Sequence, residues 1–355
     1  MVFHTNYWFN IIWIQPALLV KFECLRNILF IFILVFFSSS TLLSAPKKFT
    51  TEEDFKEIYQ SIVKIESTIP EDARTARSLG TERLGNGVII NNNYILTIGY
   101  IVAEAETINI TMPNGGKVPG ELVGYDHSTG FGILKTVLPS KLKGLTIGNS
   151  DQISKEEKLF VLPSLSAGMP SVANMVSRRS FAGWWEYFLE KPIFTYPMNN
   201  SFAGTPLVNE YGEIVGIGSL YVQDAVLPGV MSPGNLFVPI NELKPILDDL
   251  IKNGKRTKNI KPYMGLTSDD SLGFVRVTRV NENGPAAKAG FLENDTILTV
   301  NKKNISNIED FYKTVWSLGG PGSKLVFQIQ RGEKKINLEL TTMDRNDFLV
   351  KPKYY

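Results

Sequence analysis

The sequence is poor in the side chains that metal-centred and acid–base chemistry most often draws on. Cys24 is its only cysteine, which excludes an internal disulfide and any cysteine-based metal site. Histidine occurs twice, as His4 and His127, so a mechanism built on imidazole has little to choose from. Neither sign of charge dominates: 37 basic and 35 acidic residues give a formal net charge of +2. No basic stripe or basic–aromatic strip stands out, which argues against nucleic acid as a partner. No glycine-rich loop runs into a helix to cradle a phosphate. No metal and no organic cofactor are therefore expected.

What is present describes ordinary globular protein. Over 355 residues, 43% are hydrophobic and 20% charged, enough to pack cores in two or three domains. Lys21 and Arg26 precede the apolar run Asn27 to Phe37, and Ser38 to Ala45 follow. A basic lead-in, a short apolar core and a small-residue exit describe a secretory signal, with Ala45 as the last residue before cleavage. The alternative is an uncleaved membrane anchor over the same segment. Cleavage there would leave a chain with no cysteine and a single histidine, His127.

Beyond it, Glu52 to Ile65 has apolar residues on one helical face, running into a strand-like Ile62-Val63-Lys64-Ile65. Glu71 to Arg83 is polar and reads as an exposed loop. From Gly85 the pattern changes to short apolar runs between turn residues, the mark of a barrel or sandwich. Predicted strands cover 87–90, 94–97, 108–111, 120–125 and 131–135, with turns at Asn91-Asn92-Asn93 and Pro113-Asn114-Gly115-Gly116. Phe181 to Leu189 is aromatic-rich, suited either to packing over an open barrel end or to serving as an exposed contact surface. Glu242 to Lys252 reads as an amphipathic helix stopped by Asn253-Gly254, and Lys255 to Lys261 as a basic linker.

The stretch Asn199-Asn200-Ser201-Phe202-Ala203-Gly204-Thr205-Pro206-Leu207-Val208-Asn209 resembles the nucleophile segment of trypsin-like serine proteases, most closely that of the HtrA family. Members of that family carry Gly-Asn-Ser-Gly-Gly-Pro-Leu-Val-Asn. Alignment on Pro206 to Asn209 puts Ala203 at the position of the nucleophilic serine. Tyr94-Ile95-Leu96-Thr97-Ile98-Gly99-Tyr100-Ile101-Val102 is similar to the family's Tyr-Ile-Leu-Thr-Asn-Asn-His-Val-Val, with Tyr100 in place of the general-base histidine. Asp126-His127-Ser128-Thr129-Gly130-Phe131-Gly132-Ile133-Leu134-Lys135 parallels Asp-x-x-Thr-Asp-Leu-Ala-Val-Leu-Lys, with Gly130 in place of the orienting aspartate. Tyr263-Met264-Gly265-Leu266 and Gly284-Pro285-Ala286-Ala287-Lys288-Ala289-Gly290 resemble a PDZ domain of the same type.

The resemblance implies a mainly β chain: a trypsin-like double β-barrel followed by a PDZ domain, a small α+β barrel. The segments it implies are a signal or anchor over 1–45, a trypsin-like domain over 46–254, a linker over 255–262, a PDZ domain over 263–343 and a peripheral tail over 344–355. Within the PDZ segment, a helix over 308–318 and a strand pair over 325–340 are expected. By resemblance, the N–H groups of Met264, Gly265 and Leu266 form the nest that receives a peptide carboxylate. Peptides, unfolded protein segments or protein C-termini are then the expected partners, in a homo-oligomer or in a mixed assembly with an active relative. A purely structural subunit is a further alternative.

Acyl transfer needs a nucleophile, a base and an orienting acid. Alanine offers no nucleophile, tyrosine with a pKa near 10 is a poor base at neutral pH, and glycine holds nothing. Catalytic residues are therefore not expected at Tyr100, Gly130 and Ala203. Three rescues stay open: Ser201 as a displaced nucleophile, His127 as the imidazole, or a serine–lysine dyad. A turn role for Ser201 and a solvated turn position for His127 are the simpler readings. Ser201 and Phe202 also replace the Gly-Asn of the motif, which puts the backbone oxyanion hole in question and lets Phe202 plug the pocket.

Overall fold

The computed structural model describes residues 48–49, 51–91, 94–137 and 143–350; the expected signal or anchor segment lies outside them. Among the described residues, no helix is long and apolar enough to cross a membrane.

Helix α1, Glu52–Tyr59, starts at Thr51, whose hydroxyl accepts the Asp54 N–H while the Asp54 carboxylate accepts the Thr51 N–H. This reciprocal cap satisfies donors that the first turn would otherwise leave open. The first barrel follows, from β1 (Ile62–Thr68), β2 (Glu82–Asn91), β3 (Tyr94–Ile98), β4 (Thr107–Thr111), β5 (Lys117–Tyr125) and β6 (Phe131–Thr136), closed in the order β1-β2-β3-β6-β5-β4. Val63, Ile65, Val88, Ile95, Leu96, Ile110, Ile133 and Leu134 are fully buried in it. A closed barrel leaves no strand edge without a partner.

Between β1 and β2 the segment expected as an exposed loop is mostly exposed, but it is not loop throughout. Residues Ala76–Leu79 form the short helix α2, Ala73 and Ala76 are buried, and so is Arg83. The Arg83 guanidinium donates to the carbonyls of Gly80, Tyr100 and Ala103 and to the Thr75 hydroxyl. Polar composition misled here, because a buried guanidinium with enough carbonyl partners is tolerated in an interior.

The second barrel comprises β7 (Leu159–Val161), β8 (Ser171–Ser177), β11 (Ile193–Tyr196), β12 (Pro206–Val208), β13 (Ile214–Val222) and β14 (Gly234–Pro239), closed as β11-β14-β13-β12-β7-β8. Its core is Leu159, Val161, Ala173, Ile193, Leu207, Val215 and Phe237. Between β8 and β11, strands β9 (Phe181–Gly183) and β10 (Tyr187–Leu189) pair only with each other. Helix α3 covers Leu247–Asn253 alone, shorter than the amphipathic pattern suggested. Pro245 has no N–H to give, and the preceding residues form turns instead.

The C-terminal domain holds β15 (Leu266–Asp269), β16 (Arg276–Val280), helix α4 (Pro285–Ala289), β17 (Thr296–Val300), β18 (Lys303–Asn304), helix α5 (Ile308–Ser317), β19 (Lys324–Arg331) and β20 (Lys334–Thr341). Met264, Leu266, Val277, Phe291, Phe311, Tyr312, Phe327 and Ile329 form its core.

The basic segment before this domain is pinned to its neighbours. Lys255 pairs with Asp344 at 2.7 Å, Arg256 with Asp126 at 2.9 Å, and the Lys261 ammonium sits 4.0 Å above the Trp316 ring. The segment after β20 is pinned as well. Met343 bridges to Tyr263, and the Val350 N–H donates to the Glu104 carboxylate of the first barrel.

Candidate functional site

The three positions aligned with the triad lie just after β3, just before β6 and three residues before β12. Tyr100 lies in a 3₁₀ turn, Gly99–Ile101, directly after β3. The turn is tied to Gly130 by the Gly99 N–H donating to the Gly130 carbonyl at 2.6 Å. Ala203 is held from the β2 side: its carbonyl accepts the Asn86 N–H at 2.8 Å and the Asn86 side-chain amide at 3.3 Å. The same amide also donates to the Ser201 carbonyl, and its oxygen accepts the Ser164 N–H. Asn86 is 2% exposed, so one buried side chain fixes the turn that carries Ala203. A buried amide with its hydrogen-bonding capacity filled is a rigid fastener.

Each position is occupied by structural contacts. The Tyr100 hydroxyl donates to the Ser219 carbonyl at 2.9 Å, on β13. Burial pushes its phenol well above the usual tyrosine range, with Tyr125 adding to the effect, the wrong direction for a base. Gly130 has φ +87°, and a Cβ there would sit 3.2 Å from the Ile98 Cδ1 and 3.4 Å from the Tyr187 hydroxyl oxygen. Tyr187 in turn donates to the Thr129 carbonyl at 2.7 Å.

Ser201, half-buried, donates its hydroxyl to the Ala167 carbonyl at 2.9 Å. Among the described residues, no imidazole, amine or carboxylate bonds that hydroxyl. The Ser201 N–H, a donor that an oxyanion hole would use, is turned to the Asn199 side-chain oxygen at 2.8 Å. Gly204 and Thr205 spend theirs on the carbonyls of Gly218 and Phe202.

His127 is half-buried rather than the freely solvated residue its turn position suggested. Its ring packs 4.2 Å from that of Tyr125, and its Nε2 is buried without a partner among the described residues. Burial drives its pKa well below the usual histidine value, with Arg345 pushing the same way. It lines a cavity of about 580 Å³ between the first barrel and the C-terminal domain, together with Tyr100, Trp184, Tyr263, Arg279 and Arg345. No hydrogen bond links it to Ser201 among the described residues.

The nest at the C-terminal domain is formed and filled. The Met264 N–H donates to the Glu186 Oε2 at 2.8 Å, and the Gly265 and Leu266 N–H groups to the Glu186 Oε1 at 2.7 and 2.9 Å. Three convergent backbone donors on one carboxylate make an anion site built from backbone alone. Burial pushes the Glu186 carboxyl above the usual range, opposed by these donors and by Arg345. Sequence reasoning missed Glu186 as it missed Asn86. The available signal was an acidic residue flanked by aromatics in Trp184-Trp185-Glu186-Tyr187, a poor setting for an exposed carboxylate.

Comparison with known proteins places these features. A model described as trypsin-like peptidase domain matches residues 85–217, and one described as PDZ domain matches residues 262–342. The chain is similar to the serine protease Do-like HtrB of Bacillus subtilis, 27% identical over 289 residues, covering 72% of this chain and 61% of HtrB. It is similar also to the periplasmic pH-dependent serine endoprotease DegQ of Escherichia coli, 26% identical over 274 residues, covering 73% of this chain and 59% of DegQ. The match thus spans about three-fifths of the length of these relatives. Among solved structures, the HtrA-type protease AlgW with decapeptide superposes with a TM-score of 0.50 at 22% identity, over 84% of this chain and 98% of that one. At that identity the likeness speaks to the fold.

Proposed function

Because the chain belongs to the HtrA-like family, a trypsin-like peptidase domain followed by a PDZ domain, we propose that it is an exported protease homologue without acyl-transfer activity. In this reading it binds peptides or unfolded protein segments through the PDZ domain, as a scaffold, a chaperone-like factor or a regulator of an active protease. The observation that carries the binding half is the convergence of the Met264, Gly265 and Leu266 N–H groups on a carboxylate. A peptide C-terminus presents the same group.

The silent half rests on what stands at the triad positions: a phenol bonded to a carbonyl, a glycine and a methyl group. An engineered single change would have left two of the three partners in place. The cell envelope is the compartment proposed, from the N-terminal pattern and from a relative named periplasmic.

A second reading, a serine endopeptidase working through a non-standard site in envelope protein quality control, is favoured by the relatives, which are named serine proteases. Two measurements divide the readings. Incubation with unfolded casein is expected to give no cleavage, and cleavage that persists through purification would favour the endopeptidase. Titration with hydrophobic peptides is expected to show binding of the free acid and none of the C-terminal amide. Gly265→Val should abolish it, because Gly265 has φ +82° and its nest N–H depends on that backbone. Equal binding of acid and amide would remove the nest from the account.

A further inference from the structure

The nest's occupant is part of a larger imitation. Glu186 sits in the turn between β9 and β10 at φ 57°, a left-handed conformation that is uncommon for glutamate. From that turn its carboxylate fills the nest. Two residues earlier, the Trp184 carbonyl accepts the Ser268 N–H of β15 at 2.9 Å, the bond a peptide strand makes when it adds to a sheet edge.

Two residues later, Phe188 is 4% exposed within the core cluster that includes Met264, Leu266, Phe311, Tyr312 and Val315. Helix α5 clamps the other side. The Tyr312 hydroxyl donates to the Gly183 carbonyl and accepts the Glu186 N–H, so it holds both ends of the turn. The Lys313 ammonium lies 4.9 Å above the Phe188 ring, and the Ser180 hydroxyl donates to Glu309.

We propose that the hairpin Phe181–Leu189 is a built-in ligand of the PDZ groove. External peptides reach the groove only by displacing it, and the ones that do carry a free carboxylate beside an aromatic side chain. The hairpin supplies those features in one rigid piece: a carboxylate in the nest, a backbone carbonyl on β15 and a phenyl ring in the domain core. A tethered occupant competes at high effective concentration, so the intact protein binds such peptides weakly. This inference rests on the peptide-binding reading above and specifies its ligand class and its control.

The test uses the full chain and its Glu186→Gln variant. The amide keeps the shape of the side chain but offers one acceptor oxygen to three donors. Two readouts are taken. The first is the anisotropy of a labelled peptide ending in Val-Phe, as free acid and as amide. The second is hydrogen exchange at the amides of Met264, Gly265 and Leu266.

Glu186→Gln is expected to tighten free-acid binding at least tenfold, to leave the amide unbound and to accelerate exchange at the three amides at least tenfold. Tyr312→Phe frees both ends of the turn without touching the nest. It should move both readouts the same way, and it replaces Glu186→Gln if that variant fails to fold. Exchange rates unchanged in both variants would overturn the docked hairpin. Equal peptide affinity in variant and parent would overturn the gate while sparing the peptide reading. No binding to either variant despite faster exchange would overturn the peptide reading and the gate with it.

Discussion

Rebuilding the triad in place, as Tyr100→His with Gly130→Asp and Ala203→Ser, tests whether the site has lost more than three side chains. Tyr100→His removes the hydroxyl that donates to the Ser219 carbonyl at 2.9 Å, a loss of about 1 kcal/mol. The shorter ring leaves part of the tyrosine volume empty, which adds about 1 kcal/mol. Gly130→Asp forces a side chain at φ +87°, at about 1–2 kcal/mol, and sets its Cβ against Ile98 and the Tyr187 hydroxyl. Ala203→Ser, at a half-buried turn, is close to neutral.

Together these give about 3–4 kcal/mol, or a fall in Tm on the order of 10 °C. Activity is not expected to return, because the Ser201 N–H stays bonded to Asn199 and is withheld from an oxyanion hole. Thermal unfolding and a fluorogenic casein assay read the two halves. A triple variant with the parent's Tm and robust casein turnover would refute the reasoning.

Further expectations concern the supports around the site. Arg256→Ala breaks an ion pair in which the Asp126 side chain is 4% exposed. Asp126 keeps its bonds from the Thr129 N–H and hydroxyl, so the expected loss is about 2–3 kcal/mol, below the usual range for a broken buried pair. Urea unfolding measures it, and a change under about 0.5 kcal/mol would show that the segment after α3 is not pinned as described. His127 resists protonation in the folded chain, so the unfolded chain takes up its proton first as pH falls below about 6.5. Stability should then drop by up to about 1.4 kcal/mol per pH unit, and His127→Gln should remove that component. Glu186, whose carboxyl is raised, works in the opposite sense as pH falls through its own range, so only the difference between parent and His127→Gln isolates the imidazole. Parallel pH profiles for the two proteins would refute this.

Much of the architecture was legible because alternation and turn residues dictate strands locally. The predicted runs at 87–90, 94–97, 108–111 and 131–135 all fall within strands of the first barrel. The helix that the resemblance implied over 308–318 is α5, Ile308–Ser317, capped where the Asn307 side chain accepts the Asp310 N–H. What composition hid was burial of polar groups by distant partners. Arg83, Asn86 and Asp126 lie inside because carbonyls, amides and a guanidinium from remote segments satisfy them. No local window records such partners.

The candidate site divided in the same way. The positions aligned with the triad and the nest residues are expectations from matching flanks in the sequence. The filling of the nest could not be read from flanks, because it joins Glu186 to Met264 across 78 residues. His127 was misjudged for the same reason: a turn residue by composition, it is covered by a segment that returns from beyond residue 343.

The most direct test of the central claim is labelling of the purified full chain by a serine-reactive fluorophosphonate probe. No labelling is expected, because the Ser201 hydroxyl is bonded to the Ala167 carbonyl and bonds no base among the described residues. Stoichiometric labelling that Ser201→Ala abolishes would contradict it.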